Sequence, residues 1–375
     1  MHARLLAAAL LVAACDAGSA TVIDAPPGTA IDARVTPDAP AQLGIAMIYV
    51  GSSDNHIHGF TIDESSLAMT AAGTVATAAG PSFLAFDPAA RWLVAVNEGA
   101  DSIESFAIGP DAGTLVRVDG ASSHGGGPAH VSIDRSGTYA LVANYGGGTA
   151  AVVPISASGA FATATATVSP GANAHEIVTD ATNAVAYVPC LGADAIAVYG
   201  FDASSGTLTA RTPAPAASGA GPRHLALAPD GAHAWVINEK TSTITTYTIG
   251  AAGALTAGAT VSTRPANASG ANTGAEIAVH PSGKWLYASN RGDDTIAVFA
   301  IGANGALTLQ ASVPTGGARP RHFAIVLEGR ALLVANQDSA TIVGFHLDAQ
   351  TGALTSVGKL ADVPGPQFVD QLRLP

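Results

Sequence analysis

The chain has 375 residues, a net charge of −12, and only 12% charged and 5% aromatic residues. So few charged side chains argue against long exposed helices, which need Glu, Lys and Arg on their outer faces. An acidic chain without a Lys/Arg cluster argues against nucleic acid as a partner.

The N-terminus reads as an export signal. Arg4 gives a positive start, and the apolar stretch from Leu5 to Ala14 is too short to span a bilayer. It runs into Val12-Ala13-Ala14-Cys15, which resembles the bacterial lipobox, where the Cys is diacylated and becomes the mature N-terminus. The alternative is an ordinary secretory signal cut near Ala20. Either reading places the mature protein outside the cytoplasm. The first anchors it by lipid at Cys15 in the cell envelope, the sole membrane contact expected. Cys190 is then the one Cys of the folded part, so no internal disulfide can form. Residues 16–43 repeat Asp-Ala-Pro and hold almost no large apolar side chains. Such a segment cannot offset its ordering entropy, and it is expected to be a disordered tether.

From residue 44 to 375 one block recurs seven times, anchored at Gly51, Asn97, Asn144, Cys190, Asn238, Asn290 and Asn336. Nine positions after each anchor a strand is expected to end, at Phe60, Phe106, Val153, Tyr199, Tyr247, Phe299 and Phe345. A period of this size signals an array of supersecondary units. The block near Asn238 shows the unit. Strands are expected over 225–227, 234–237, 244–249 and 255–261, separated by turns rich in Gly, Pro and Asp. Four antiparallel strands per block make a propeller blade, so the fold is expected to be an all-β, seven-bladed β-propeller. The first block, near Met47, lacks an inner strand, and residues 366–372 form an unpartnered one. The C-terminal strand is therefore expected to close the ring in blade 1 and remove the open edge.

The repeat also aligns the polar candidates. The start of each inner strand holds Phe83, His130, His175, His224, Glu276 or His322, which should form a ring about the axis. The second strand runs back toward the same face. Glu98, Tyr145, Glu239, Arg291 and Gln337, each just after an anchor Asn, should share that face with Arg223 and Arg321. Arg suits bidentate binding of carboxylate or phosphate, and Glu or His can move a proton near neutral pH. The repeated His residues can instead be structural, bonding backbone in the turns, and the anchor Asn residues read as turn caps. A metal at the His/Glu ring lacks a supporting HxH or HxxxH pair there, so no metal is assigned; His56 and His58 form an HxH only in the third-strand loop of blade 1.

At these residues the chain resembles the seven-bladed propeller lactonases, which include bacterial 6-phosphogluconolactonases and the fungal carboxy-muconate lactonizing enzyme. The phrases that carry the resemblance are Gly127-Pro128-Ala129-His130, residues 142–148 (Val-Ala-Asn-Tyr-Gly-Gly-Gly), Gly221-Pro222-Arg223-His224, Val236-Ile237-Asn238-Glu239, Ala288-Ser289-Asn290-Arg291-Gly292 and Arg319-Pro320-Arg321-His322-Phe323. The resemblance implies a catalytic set of His175, Arg223, Glu239 and Arg291, with Asn173 where many relatives carry a second His. His130, His224, Glu276, Arg321 and His322 complete the candidate site as substrate-binding residues. The implied activity is hydrolysis of a sugar-type lactone without a cofactor by a monomer. Whether Glu239 or His175 takes the proton from water stays open. The alternatives are a non-catalytic binding propeller at the cell surface and a muconate-type lactonizing cycloisomerase.

Overall fold

A computed structural model describes residues 44–109 and 113–374. The export signal, Cys15 and the expected tether over 16–43 lie outside the described residues.

The described chain forms seven antiparallel sheets arranged as blades. In blade 5 the radial order from the axis outward is Pro222–Leu227, His233–Asn238, Thr243–Ile249 and Leu255–Ser262. The other blades repeat this order, and blade 4 adds a short strand at Ala214–Pro215. Blade 1 is completed from the far end of the chain, because Pro366–Arg373 pairs antiparallel with Ala46–Ser52, Val369 opposite Val50. The expected ring closure is present. The helical pieces among the described residues are three-residue 3-10 turns such as Glu98–Ala100, and none is long and apolar enough to cross a membrane.

Strand ends differ from the sequence expectation in two ways. The third strands run past their large apolar residue: Phe60 lies inside His56–Ile62, and Tyr247 inside Thr243–Ile249. The ladder continues because the outer strand still offers partners, as in Ile62 opposite Met69. The inner strand of blade 5 begins at Pro222, not Leu225, with Pro222 opposite Asn238. Proline is tolerated there because the first strand residue needs no N–H in the ladder.

Seven buried clusters lie between neighbouring blades. Each contains one of the seven repeated third-strand residues: Phe60 between blades 7 and 1, Phe106 between 1 and 2, Val153 between 2 and 3, and so on to Phe345 between 6 and 7. The sequence period is thus the signature of one anchor per interface. Polar pins reinforce the apolar contacts. Tyr187 Oη donates to Gly253 O of blade 5 (3.1 Å), Trp235 Nε1 to Gly305 O of blade 6 (2.9 Å) and Tyr287 Oη to Gly352 O of blade 7 (2.9 Å). Gly253 is needed for this approach. Its φ is +76°, and a Cβ there would sit 2.6 Å from Val185 Cγ1.

Candidate active site

The inner strands meet at the axis, where local irregularity sets what each one presents. In blade 5, Pro222 pairs with Asn238 and His224 with Ile237, so Arg223 is an extra residue in a β-bulge. Blade 7 repeats the device, with Arg321 between Pro320 and His322. A bulge breaks the two-residue alternation and re-aims side chains. Arg223 and His224 therefore both lie in the axial region, 3% and 1% exposed.

The mouth is a cavity of about 230 Å³ lined by Glu98, Ala129, Tyr145, His175, Glu239, Arg291, Arg319 and Arg321. At its centre the Glu239 carboxylate is clamped by two guanidinia. Arg223 Nε is 3.1 Å and Arg291 Nη2 2.9 Å from Oε2. Arg223 lies beneath the mouth, and its Nη1 donates to Ala275 O at 2.8 Å. Arg291 Nη2 also donates to Gly274 O (3.0 Å), while its buried Nε has no hydrogen-bond partner among the described residues. Burial, and then the Arg223 charge, bring Arg291 down to about 10, so it remains a cation at neutral pH.

His175 stands across the cavity with its ring edge-to-face on Tyr145, centroids 5.5 Å apart. Its backbone N–H donates to Pro189 O (2.9 Å), which fixes the residue just ahead of the short inner strand Val178–Thr179. Its buried Nδ1 has no partner among the described residues. Burial first, and the Arg223 charge second, hold the imidazole well below the ordinary His value, so it is neutral near pH 7.

The other ring residues lie below this cavity. His224 Nδ1 is 2.9 Å and His322 Nε2 3.2 Å from Glu276 Oε2. Burial pushes Glu276 up and His224 well down, favouring neutral partners in that hydrogen bond. His130 and His322 reach the next blade: Nδ1 of each accepts a backbone N–H, from Ile177 and Val369 respectively, both at 3.4 Å. Burial lowers His130 to about 3 and His322 to about 4. The structure thus gathers all nine candidate site residues at one end of the axis. It lines the cavity with His175, Glu239, Arg291 and Arg321, and it seals His130, His224, Glu276 and His322 among one another as inter-blade ties. Among the described residues no group of three His, Cys, Asp or Glu side chains is placed to hold a metal ion.

Two residues escaped the sequence reading. Glu176 is buried, accepts the Leu225 N–H at 2.7 Å and is raised well above the ordinary carboxyl value, chiefly by burial. A charged residue directly after the ring His, in so charge-poor a chain, was its signal. Arg319 lines the mouth from a turn whose counterparts in four other blades carry Gly before Pro.

Comparison with known proteins agrees with this architecture. Residues 47–371 match the family described as Lactonase, 7-bladed beta-propeller. The chain is 31% identical over 330 residues to a 6-phosphogluconolactonase of Sodalis glossinidius, covering 87% of this chain and 98% of that one. It is 34% identical over 259 residues to a 6-phosphogluconolactonase of Pectobacterium carotovorum, covering 68% and 77%. Among solved structures, a periplasmic gluconolactonase of Pseudomonas aeruginosa superposes with a TM-score of 0.82 at 26% identity, covering 88% of this chain and 100% of that one. A putative 6-phosphogluconolactonase of Bacteroides fragilis gives 0.81 at 27% identity, covering 89% and 100%. With its seven closed blades and a family match over nearly all of the described residues, this chain belongs to the seven-bladed β-propeller lactonases.

Proposed function

We propose that this protein is a lactonase that hydrolyses a sugar-type lactone at the mouth of the propeller. The observation that carries this reading is the pairing, in one small cavity, of a neutral His175 with a Glu239 carboxylate clamped by Arg223 and Arg291. The names of the relatives support the same activity.

The chemistry needs no group beyond these side chains. Water attacks the lactone carbonyl carbon while the neutral His175 takes its proton at Nε2, the ring nitrogen that is not buried. The carbonyl π electrons move onto oxygen, and the oxyanion is stabilised by the charge of Arg291, which lines the cavity as a cation. The intermediate collapses, the bond from carbonyl carbon to ring oxygen breaks, and the imidazolium returns its proton to that oxygen. A hydroxy acid leaves. An imidazolium beside Arg223 is destabilised, which favours this second transfer. Glu239 holds both guanidinia in place, and Arg223 is a positioning residue beneath it.

Export and a lipid anchor at Cys15 are part of this reading. They rest on the signal sequence and, for export alone, on the periplasmic relative. Metabolic labelling with a clickable fatty acid tests the anchor: Cys15→Ala should lose the label, and labelling that persists in the variant rules it out.

Activity is tested by supplying the purified protein with glucono-δ-lactone, 6-phosphogluconolactone and muconolactone alongside His175→Ala. Turnover that the substitution removes supports the proposal. Turnover equal in wild type and variant, or absent from both, defeats it.

A further inference from the structure

One interval between the repeat anchors is long. Asn290 lies 52 positions after Asn238, against 46 to 48 for the other five intervals. The excess falls in the link from the outer strand of blade 5 to the inner strand of blade 6. Residues 263–272 make this link, ten residues where 123–127 and 315–319 are five each. The same blade also opens its inner strand differently. In five blades a left-handed residue followed by Pro comes first, as at Gly221-Pro222. In blade 6, Gly274 stands opposite the anchor Asn290, as Pro222 stands opposite Asn238, and Thr273 precedes it. Thr273 pairs with Arg291, so the ladder here runs one residue past the anchor.

The long loop grips the turn that carries Arg291. Arg264 Nε and Nη2 each lie 2.6 Å from an oxygen of Asp293, two residues past Arg291, and the two side chains are 19% and 17% exposed. Arg264 also closes the loop on itself, with Nη1 donating to Gly270 O (3.2 Å) and Nη2 to Ser269 O (3.0 Å). Asn272 Oδ1 accepts the Asp293 N–H at 3.0 Å. Its Nδ2 donates to Asn290 Oδ1 (3.0 Å) and to Ser242 Oγ (2.9 Å), on the turn that follows Glu239. Ala271 O closes on Gly292, whose φ is +131° and where a Cβ would run into that oxygen. The end of the segment then passes between the two site residues. Gly274 N–H donates to Glu239 O (3.0 Å), and Gly274 O accepts from Arg291 Nη2 (3.0 Å).

We propose that loop 263–272 is a brace for the Glu239–Arg291 pair, in which Arg264 and Asn272 are positioning residues. A two-pronged Arg–carboxylate contact fixes orientation as well as distance, which a single surface ion pair does not. Arg264 also occupies the Asp293 carboxylate, so that Glu239 has no rival on the turn that holds Arg291. A misplacement of about 1 Å in a group that stabilises the transition state is enough to cost a large part of the rate. The effect on rate rests on the lactonase reading; the geometry does not.

Crystal structures and steady-state kinetics of wild type, Arg264→Met and Asp293→Asn test it, with the three lactones above as substrates. Each variant should lose at least about tenfold in kcat with KM within about twofold, since Arg291 acts on the oxyanion rather than on the bound lactone. The double variant should fall no more than about threefold below either single one, because both substitutions break one contact. In the variant crystals the Arg291 guanidinium should leave its 2.9 Å contact with Glu239 Oε2. Arg291 unmoved in both variants, or kcat within about twofold of wild type, overturns the proposal. A loss of kcat that comes with a fall in Tm beyond about 5 °C makes the loop a stability element and also overturns it. If Arg291 moves in the variants but wild type hydrolyses none of the lactones, the brace stands and the lactonase reading falls.

Discussion

Arg223 and His224 are consecutive in the chain, yet both lie in the axial region, one beneath Glu239 and the other against Glu276. The bulge in blade 5 makes this possible, since a regular strand would send one of them to the opposite face. Arg223 thereby links the mouth to the sealed layer below. Arg223→Ala should lower kcat/KM on the best lactone by roughly 100-fold, because Glu239 loses one of its two clamps. Arg223→Lys should recover only part of this, since an ammonium cannot reproduce the guanidinium fork. Steady-state kinetics decides, and full activity in Arg223→Ala would remove it from the site.

His175→Ala should cost about 10²–10⁴-fold in kcat, the range for a positioned acid–base group. The pH profile carries a sharper test. The base form is the neutral imidazole, and burial with the Arg223 charge holds His175 well below 6.5. The acid limb of kcat/KM should therefore lie below pH 6.5. A limb at or above the ordinary His value would assign the proton transfer elsewhere.

The sealed layer makes its own prediction about stability. His130 has a folded value of about 3 against the ordinary 6.5. Between these values the unfolded chain binds a proton that the native state refuses. The contribution of His130 is therefore complete above about pH 6.5 and is lost as pH falls toward 3. His130→Asn does not carry this loss. Its destabilisation at pH 7.5, measured by urea unfolding, should shrink by roughly 2 kcal/mol at pH 5. The deficit should not change with pH if His130 is already charged in the fold.

Ring closure depends on the last strand. Ending the chain at Gly365 removes Pro366–Arg373 with its buried Phe368, Val369 and Leu372. At about 2 kcal/mol per large apolar side chain, the loss is roughly 6 kcal/mol. That is comparable with the whole stability of many domains, about 5–15 kcal/mol. The shortened chain should show no cooperative thermal transition, and a peptide of residues 366–375 added in trans should partly restore one.

Cys190 packs in the core between blades 3 and 4, and burial pushes its thiol up to about 12. In the native protein Cys190 should not react with a disulfide reagent near neutral pH, because the thiolate is the reactive form. Reaction should appear in parallel with unfolding in urea.

The sequence by itself determined the fold and named most, though not all, of the polar residues that line the mouth. One large apolar residue per blade interface imposes a period that survives in the chain, and equivalent positions about an axis must share a face. That is why Glu98, Tyr145, Glu239, Arg291 and Arg321 could be placed together from spacing alone. Only the tertiary structure decided depth. His130, His175, His224, Glu276 and His322 occupy the same register, yet His175 reaches the cavity while the others are sealed beneath it. Depth depends on where pairing begins in each inner strand and on bulges at Arg223 and Arg321, which a repeat count does not encode. Arg319 was hidden for a related reason. It stands where four other blades have Gly before Pro, a correspondence the sequence shows, but the left-handed φ those five residues share is visible only in the backbone.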